Sequence, residues 1–257
     1  MTDLAGALSL PSRSPKPRRR GRTNVLDKGM PRGQLEDELR TSGPYVDLAK
    51  LGWGTGLVTP ELAEKIDIYK QHEIDVCLGG TLFELCFFHD QVDRYEAFVE
   101  ELGLPVVEIS NGTLDIEEKT KLALIKRFAA NYRVVSEVGS KDADAIVSPA
   151  RWVNEIAAEL EAGADSVILE GRESGSAGMY RGSGEIRMGL IQEILDAGIP
   201  ADRLVFEAPQ KHQQVWLIDK IGSEVNLANI PFADVLSLET LRLGLRADTL
   251  LRFHGGE

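Results

Sequence analysis

Four glutamates of this 257-residue chain, Glu108, Glu137, Glu170 and Glu207, each stand at the end of a short apolar run. Carboxylates that converge on one space repel each other and stay ionised only against positive charge. Donors that are all oxygen suit a hard divalent ion, Mg²⁺ or Mn²⁺. Cationic groups occupy comparable places: Lys28 after Asp27, Lys50 near the end of the second run, Lys141 four residues beyond Glu137, and Arg172 just beyond Glu170. Zinc is disfavoured, because His72, His89, His212 and His254 are scattered, with neither H-x-H nor HExxH spacing. Neither G-x-x-x-x-G-K nor G-x-S-x-G occurs, which sets aside a P-loop and a nucleophile elbow. The GWGTG stretch at 52–56 lacks the third spacing of a dinucleotide fingerprint and reads as a tight turn whose amides meet an anion, with Trp53 as rim packing.

The elements that must position these groups are eight short apolar runs, at 23–27, 45–51, 74–79, 105–110, 132–138, 166–170, 203–208 and 225–229. Helix-length amphipathic stretches alternate with them. Thr59-Pro60-Glu61 reads as N-cap, first-turn proline and first-turn acid. Ser148-Pro149 opens another helix, with Trp152, Val153, Ile156, Ala157 and Leu160 on one apolar face. Gly163 and Gly198 read as helix stops. The pattern predicts an α/β fold, a single (β/α)₈ TIM barrel over 22–257 behind a basic lead-in at 1–21, with a doubly wound sheet as the structural alternative. In such barrels the carboxyl ends of the strands build the active site, so strand-end charges share one rim. The Gly/Ser-rich stretch 174–184 reads as a long active-site loop.

Formal charge is −12, from 29 basic and 41 acidic residues. The basic side chains Arg13, Lys16, Arg18, Arg19, Arg20 and Arg22 crowd the first stretch, leaving the body strongly acidic. An acidic body argues against nucleic acid as a partner, and the basic run reads as a solvated lead-in to the first strand. Cys77 and Cys86 form no CxxC, which points to a reducing cytoplasm, with Cys77 a small buried hydrophobe. No run is long and apolar enough for a membrane span, and no signal peptide is read. A barrel of this size is expected to assemble as a homo-oligomer, by fold analogy.

The same residues carry a resemblance. The blocks KPRRRGRTNVLDKG (16–29), KLGWGT (50–55), LGGTLFE (78–84), EISNGTL (108–114), SEVGSKD (136–142), EGRESG (170–175), FEAPQKHQQ (206–214), VNLANI (225–230) and LETLRLGLRADT (238–249) resemble the phosphosulfolactate synthases. The resemblance implies a (β/α)₈ barrel and a Mg²⁺-dependent addition of sulfite to phosphoenolpyruvate, giving (2R)-phospho-3-sulfolactate on a route to coenzyme M or sulfolactate. It implies Glu137, Glu170 and Glu207 as metal ligands, directly or through water. Lys141 becomes the general acid that protonates the carbon next to the one attacked, and Glu108 a catalytic-site carboxylate that holds a lysine. Lys28, Lys50, Arg172 and Asn229 become the groups that meet the substrate anions. Other readings stand beside it: a barrel lyase using another nucleophile, with a Schiff base through Lys141 as one form, or a stress-related homologue without turnover.

Overall fold

A computed structural model of the chain describes residues 4–139 and 148–255. Eight parallel strands alternate with helices: β1 (Thr23–Asp27), β2 (Leu48–Leu51), β3 (Asp75–Leu78), β4 (Val106–Ile109), β5 (Arg133–Val138), β6 (Ser166–Leu169), β7 (Leu204–Glu207) and β8 (Leu227–Ile230). The ladder runs β3-β2-β1-β8-β7-β6-β5-β4, and β3 lies against β4 across the remaining seam. This is a (β/α)₈ barrel, and all eight sequence-read runs overlap its strands, with the second strand starting later than read, at Leu48, and the eighth shifted to Leu227–Ile230.

Alternation along each strand divides the core in two. Residues of one parity, such as Val25, Ala49, Val107, Val167 and Phe206, face outward and join the apolar faces of the helices in the annular core. Residues of the other parity face the lumen. There Leu48, Cys77, Val106, Val135, Ile168, Val205 and Ala228 make a separate apolar layer contributed by seven strands. Two residues further along, on the same lumenal parity, stand Lys50, Gly79, Glu108, Glu137, Glu170 and Glu207. The apolar layer is thus a floor, and the charged layer lies directly above it at the carboxyl ends. Asp27 has the other parity and faces outward, where the Lys65 ammonium at 2.6 Å and the Tyr69 hydroxyl at 2.6 Å hold one carboxylate oxygen.

Local signals behaved unevenly. Ser148 caps the helix Pro149–Ala162 as its type predicts, and Gly163 ends that helix with a left-handed φ of 116°. The reading at Thr59 needs correction. The helix there begins later, at Leu62, and Thr59 instead closes the short helix Thr55–Val58, its hydroxyl donating to the Thr55 carbonyl at 2.7 Å.

The basic lead-in also needs correction, because it is built into the barrel. Lys16 Nζ donates to the Gly43 carbonyl at 3.1 Å and the His72 carbonyl at 3.0 Å, and Arg18 pairs with Asp47 at 3.1 Å. Arg13 reaches Glu239 at 2.9 Å and also pairs with Glu224. The segment straps the amino-terminal mouth of the barrel, where helix-end carbonyls such as those of Gly43 and His72, and the carboxylates of Asp47, Glu224 and Glu239, supply acceptors.

Candidate active site

A cavity of about 510 Å³ opens at the carboxyl ends of the strands. Its charged lining among the described residues is Glu108, Glu137, Glu170, Glu173 and Glu207 against Lys50 and Arg172. The carboxylates outnumber the cations, and Glu108, Glu137, Glu170 and Glu207 are buried. Ionised carboxylates at this density need a further positive charge.

Glu137, Glu170 and Glu207 each direct one carboxylate oxygen to a common place, the three lying within 4.8 Å of one another. Neighbouring strand ends β5, β6 and β7 supply them. Three buried hard-oxygen donors this close fit a Mg²⁺-type ion, which keeps waters on its other positions. The group contains no histidine or cysteine, so its chemistry does not favour zinc.

The orientations are held from beneath and beside. Glu207 Oε2 accepts from the Gly171 amide at 2.9 Å, and Glu170 Oε1 accepts from the Arg172 amide at 2.6 Å. Glycine is required at 178, since φ is +59° and a β-carbon would fall 2.0 Å from the Glu170 carbonyl oxygen. Tyr180 donates to the Glu207 carbonyl at 2.6 Å.

Lys50 rises from β2 between two carboxylates, with Nζ 3.1 Å from Glu108 Oε2 and 3.0 Å from Glu207 Oε1. Burial lowers its pKa, but the fields of Glu108, Glu207 and Glu137 together outweigh that and hold it well above the usual lysine value. Glu108 also accepts from the Gly80 amide at 2.7 Å. Burial raises its carboxyl above the ordinary range, against the opposing pull of Lys50. Lys50 is therefore a fixed counter-charge, and Glu108 holds it in place.

Three non-glycine residues of the cavity wall have left-handed backbones: Trp53 (φ 53°), Arg172 (φ 60°) and Asn229 (φ 57°). Strain of this kind gathers where the surroundings impose a direction on a side chain. At Asn229 it coincides with a register shift, Thr23 facing Leu227 but Val25 facing Ile230. The extra residue is a bulge that turns a buried amide toward the cavity, where its Oδ1 has no hydrogen-bond partner. Arg172 stands at the exposed mouth. Lys28 is not in the cavity wall: its Nζ lies 3.3 Å from Glu173 on the rim, both half exposed. Lys141 lies outside the described residues. Ser174 lines the cavity as the opening of the 174–184 loop, and Gln213 Nε2 ties that loop back through the Gly175 carbonyl at 2.9 Å.

Sequence reasoning missed two buried charges that shape this site. Glu84 accepts from Ser110 Oγ at 2.6 Å and from the Thr113 and Leu114 amides at 2.7 Å each, pinning the loop that brings Thr113 to the cavity. Lys121 donates to the Glu137 carbonyl at 2.6 Å. Both were visible as lone charges inside apolar patterns: Glu84 within LFELCFF, and Lys121 in helical step with the buried Ile125 and Phe128.

Comparison with known proteins places the chain. The family described as (2R)-phospho-3-sulfolactate synthase (ComA) matches residues 11–248. A phosphosulfolactate synthase of Bacillus subtilis is 44% identical over 245 residues, covering 95% of this chain and 97% of the relative. One from Methanothermobacter thermautotrophicus is 44% identical over 246 residues, covering 93% and 95%. Among solved structures, 3-hexulose-6-phosphate synthase from Salmonella typhimurium superposes with a TM-score of 0.55 at 14% identity, over 91% of this chain and 100% of that one, which speaks for the barrel fold alone. The extent and level of the sequence matches leave one conclusion: the chain belongs to the (2R)-phospho-3-sulfolactate synthase family of enzymes.

Proposed function

We propose that this enzyme adds sulfite to phosphoenolpyruvate in a Mg²⁺-dependent reaction, giving (2R)-phospho-3-sulfolactate. The observation that carries the reading is the oxygen cluster of Glu137, Glu170 and Glu207, set beside Lys50 and Arg172 in one cavity. Sulfur attacks the methylene carbon through its lone pair, and the carbon–carbon π electrons move toward the neighbouring carbon and its carboxylate. A proton then reaches that neighbouring carbon, so the product carries one new C–S and one new C–H bond. A divalent ion held by the three glutamates would neutralise the charge that grows on the substrate carboxylate.

The chain's own groups take the remaining roles. Arg172 at the mouth meets an oxyanion with its planar, bidentate head group. The Asn229 amide, on β8 and two strands away from β6, fixes another polar substrate atom. Lys50, tied between Glu108 and Glu207, moderates the carboxylate field so that anions enter. The proton is assigned to Lys141, on its place in the SEVGSKD block. Lys28, on the rim with Glu173, draws anions toward the mouth. We place the enzyme in the cytoplasm as a homo-oligomer; exposed Leu57, Val58, Leu85 and Phe88 on the segments after β2 and β3 support the assembly. No described helix is long and apolar enough to cross a membrane.

The test is direct. Protein, phosphoenolpyruvate, sulfite and Mg²⁺ are mixed and phosphosulfolactate is sought by mass spectrometry. Product that requires all four components supports the reading, and its absence across a range of sulfite concentrations refutes it.

A further inference from the structure

Lys121 lies outside the cavity, yet it is only 3% exposed. It belongs to the helix Glu118–Phe128, which packs against β4 and β5. Its Nζ meets three acceptors from three elements: the Glu137 carbonyl at 2.6 Å, Asn111 Oδ1 at 2.9 Å and Glu159 Oε1 at 2.6 Å. That matches the three donors of an ammonium. The last register pair between β4 and β5 is Ile109 with Ser136. The Glu137 carbonyl lies one residue further, where β4 has given way to the loop that carries Asn111 and Thr113. Lys121 supplies the donor that the departing strand no longer offers, and the same atom holds the departing loop.

We propose that Lys121 is a positioning residue: it sets where β5 presents Glu137 to the carboxylate cluster and couples that point to the loop after β4. The inference rests on the cation reading of the cluster. Stability alone would not call for this arrangement. A buried Lys–Glu pair is commonly replaced by apolar residues of similar volume with no loss of stability. What an apolar pair cannot do is hold the Glu137 carbonyl and Asn111 together.

The single change Lys121→Met would strand the Glu159 carboxylate in the core, so the informative variant is Lys121→Met/Glu159→Met. We expect it to melt within a few degrees of the parent while its dissociation constant for Mn²⁺, measured by electron paramagnetic resonance without substrate, weakens by about 10–100-fold. Lys121→Arg keeps the charge beside Glu159 but replaces a compact ammonium with a planar fork; it is expected to fold and to show the same weakening. Parent-like Mn²⁺ affinity in both variants overturns the proposal. A parent that takes up no Mn²⁺ refutes the cation reading instead, and deuterium uptake then decides the positioning. Faster uptake confined to 106–114 and 133–139 supports it, and parent-like uptake there overturns it.

Discussion

Lys50 Nζ stands 3.1 Å from Glu108 Oε2, and both residues are buried in the cavity lining. The pair sits one step above the apolar floor, where each charge depends on the other. Removing the ammonium leaves Glu108 and Glu207 facing each other and the cluster. Lys50→Met is expected to cost about 3–5 kcal/mol of stability, as for other buried pairs broken on one side. Thermal melts with and without Mg²⁺ check this, and the deficit should shrink with the ion present. A melt equal to the parent's in the ion's absence would show that the pair carries no such load.

The same pair has a pH signature. Burial raises the folded-state pKa of Glu108 above the ordinary 4.5. Its contribution to stability is then present below that ordinary value and is lost as pH rises through the folded-state value. Glu108→Gln has no such titration. The stability difference, parent minus variant, should be largest near pH 4.5 and fall toward neutrality in metal-free melts. A difference constant across that range would mean that burial leaves the titration of Glu108 unchanged from that of the unfolded chain.

Cation removal provides a third measurement. An ion that binds only the folded cluster stabilises by about 2.7 kcal/mol when present at 100 times its dissociation constant. Mg²⁺ should raise the melting temperature and a chelator should reverse the gain. In Glu137→Gln, Glu170→Gln and Glu207→Gln the same addition should have little effect. A Mg²⁺ response undiminished in all three would place the ion elsewhere.

Asn229 separates backbone from side chain. Asn229→Val forces a branched residue into a left-handed bulge and is expected to cost about 1–3 kcal/mol. Asn229→Gly accepts that backbone without strain but removes the amide from the cavity. Its expected signature is a near-parent melting temperature with a raised KM for one substrate. An unchanged KM would make the bulge, and not the amide, the reason for this residue.

Gly178→Ala should act on the cluster from outside it. The new methyl would fall 2.0 Å from the Glu170 carbonyl oxygen, on a backbone with positive φ. We expect a stability loss of at least about 1–3 kcal/mol together with weakened Mn²⁺ binding. Loss of stability with Mn²⁺ affinity intact would separate the glycine from the position of Glu170.

The fold was legible because parallel strands and their helices write separate periodicities into the chain. The cluster was legible because lumenal parity places Glu137, Glu170 and Glu207 two residues past Val135, Ile168 and Val205. Parity also explains why Asp27, an equally good strand-end charge on paper, lies outside the cavity. Other parts depended on partners distant in the chain. Lys50 and Lys28 read alike in the sequence, as strand-end groups for substrate anions, and only the fold sets Lys50 between Glu108 and Glu207 and Lys28 beside Glu173 on the rim. Arg18 looked solvated because Asp47 cannot be recognised as its partner from sequence. Lys121 needed no distant information, only attention to a charge in step with Ile125 and Phe128.

The strap beneath the barrel has a consequence for the order of events in synthesis. Arg13 is held by Glu224 and Glu239, residues more than two hundred positions later in the chain. This basic stretch leaves the ribosome long before Glu224 and Glu239, and so waits for them before its native partners exist. Contacts so distant in sequence close late and slow folding, and until they close the lower mouth lies open with its arginines uncompensated. The native barrel is completed only when segments before β1 and after β7 meet, so a nascent chain halted before Glu224 should hold its early strands in a partly formed state that a protease can distinguish from the finished one.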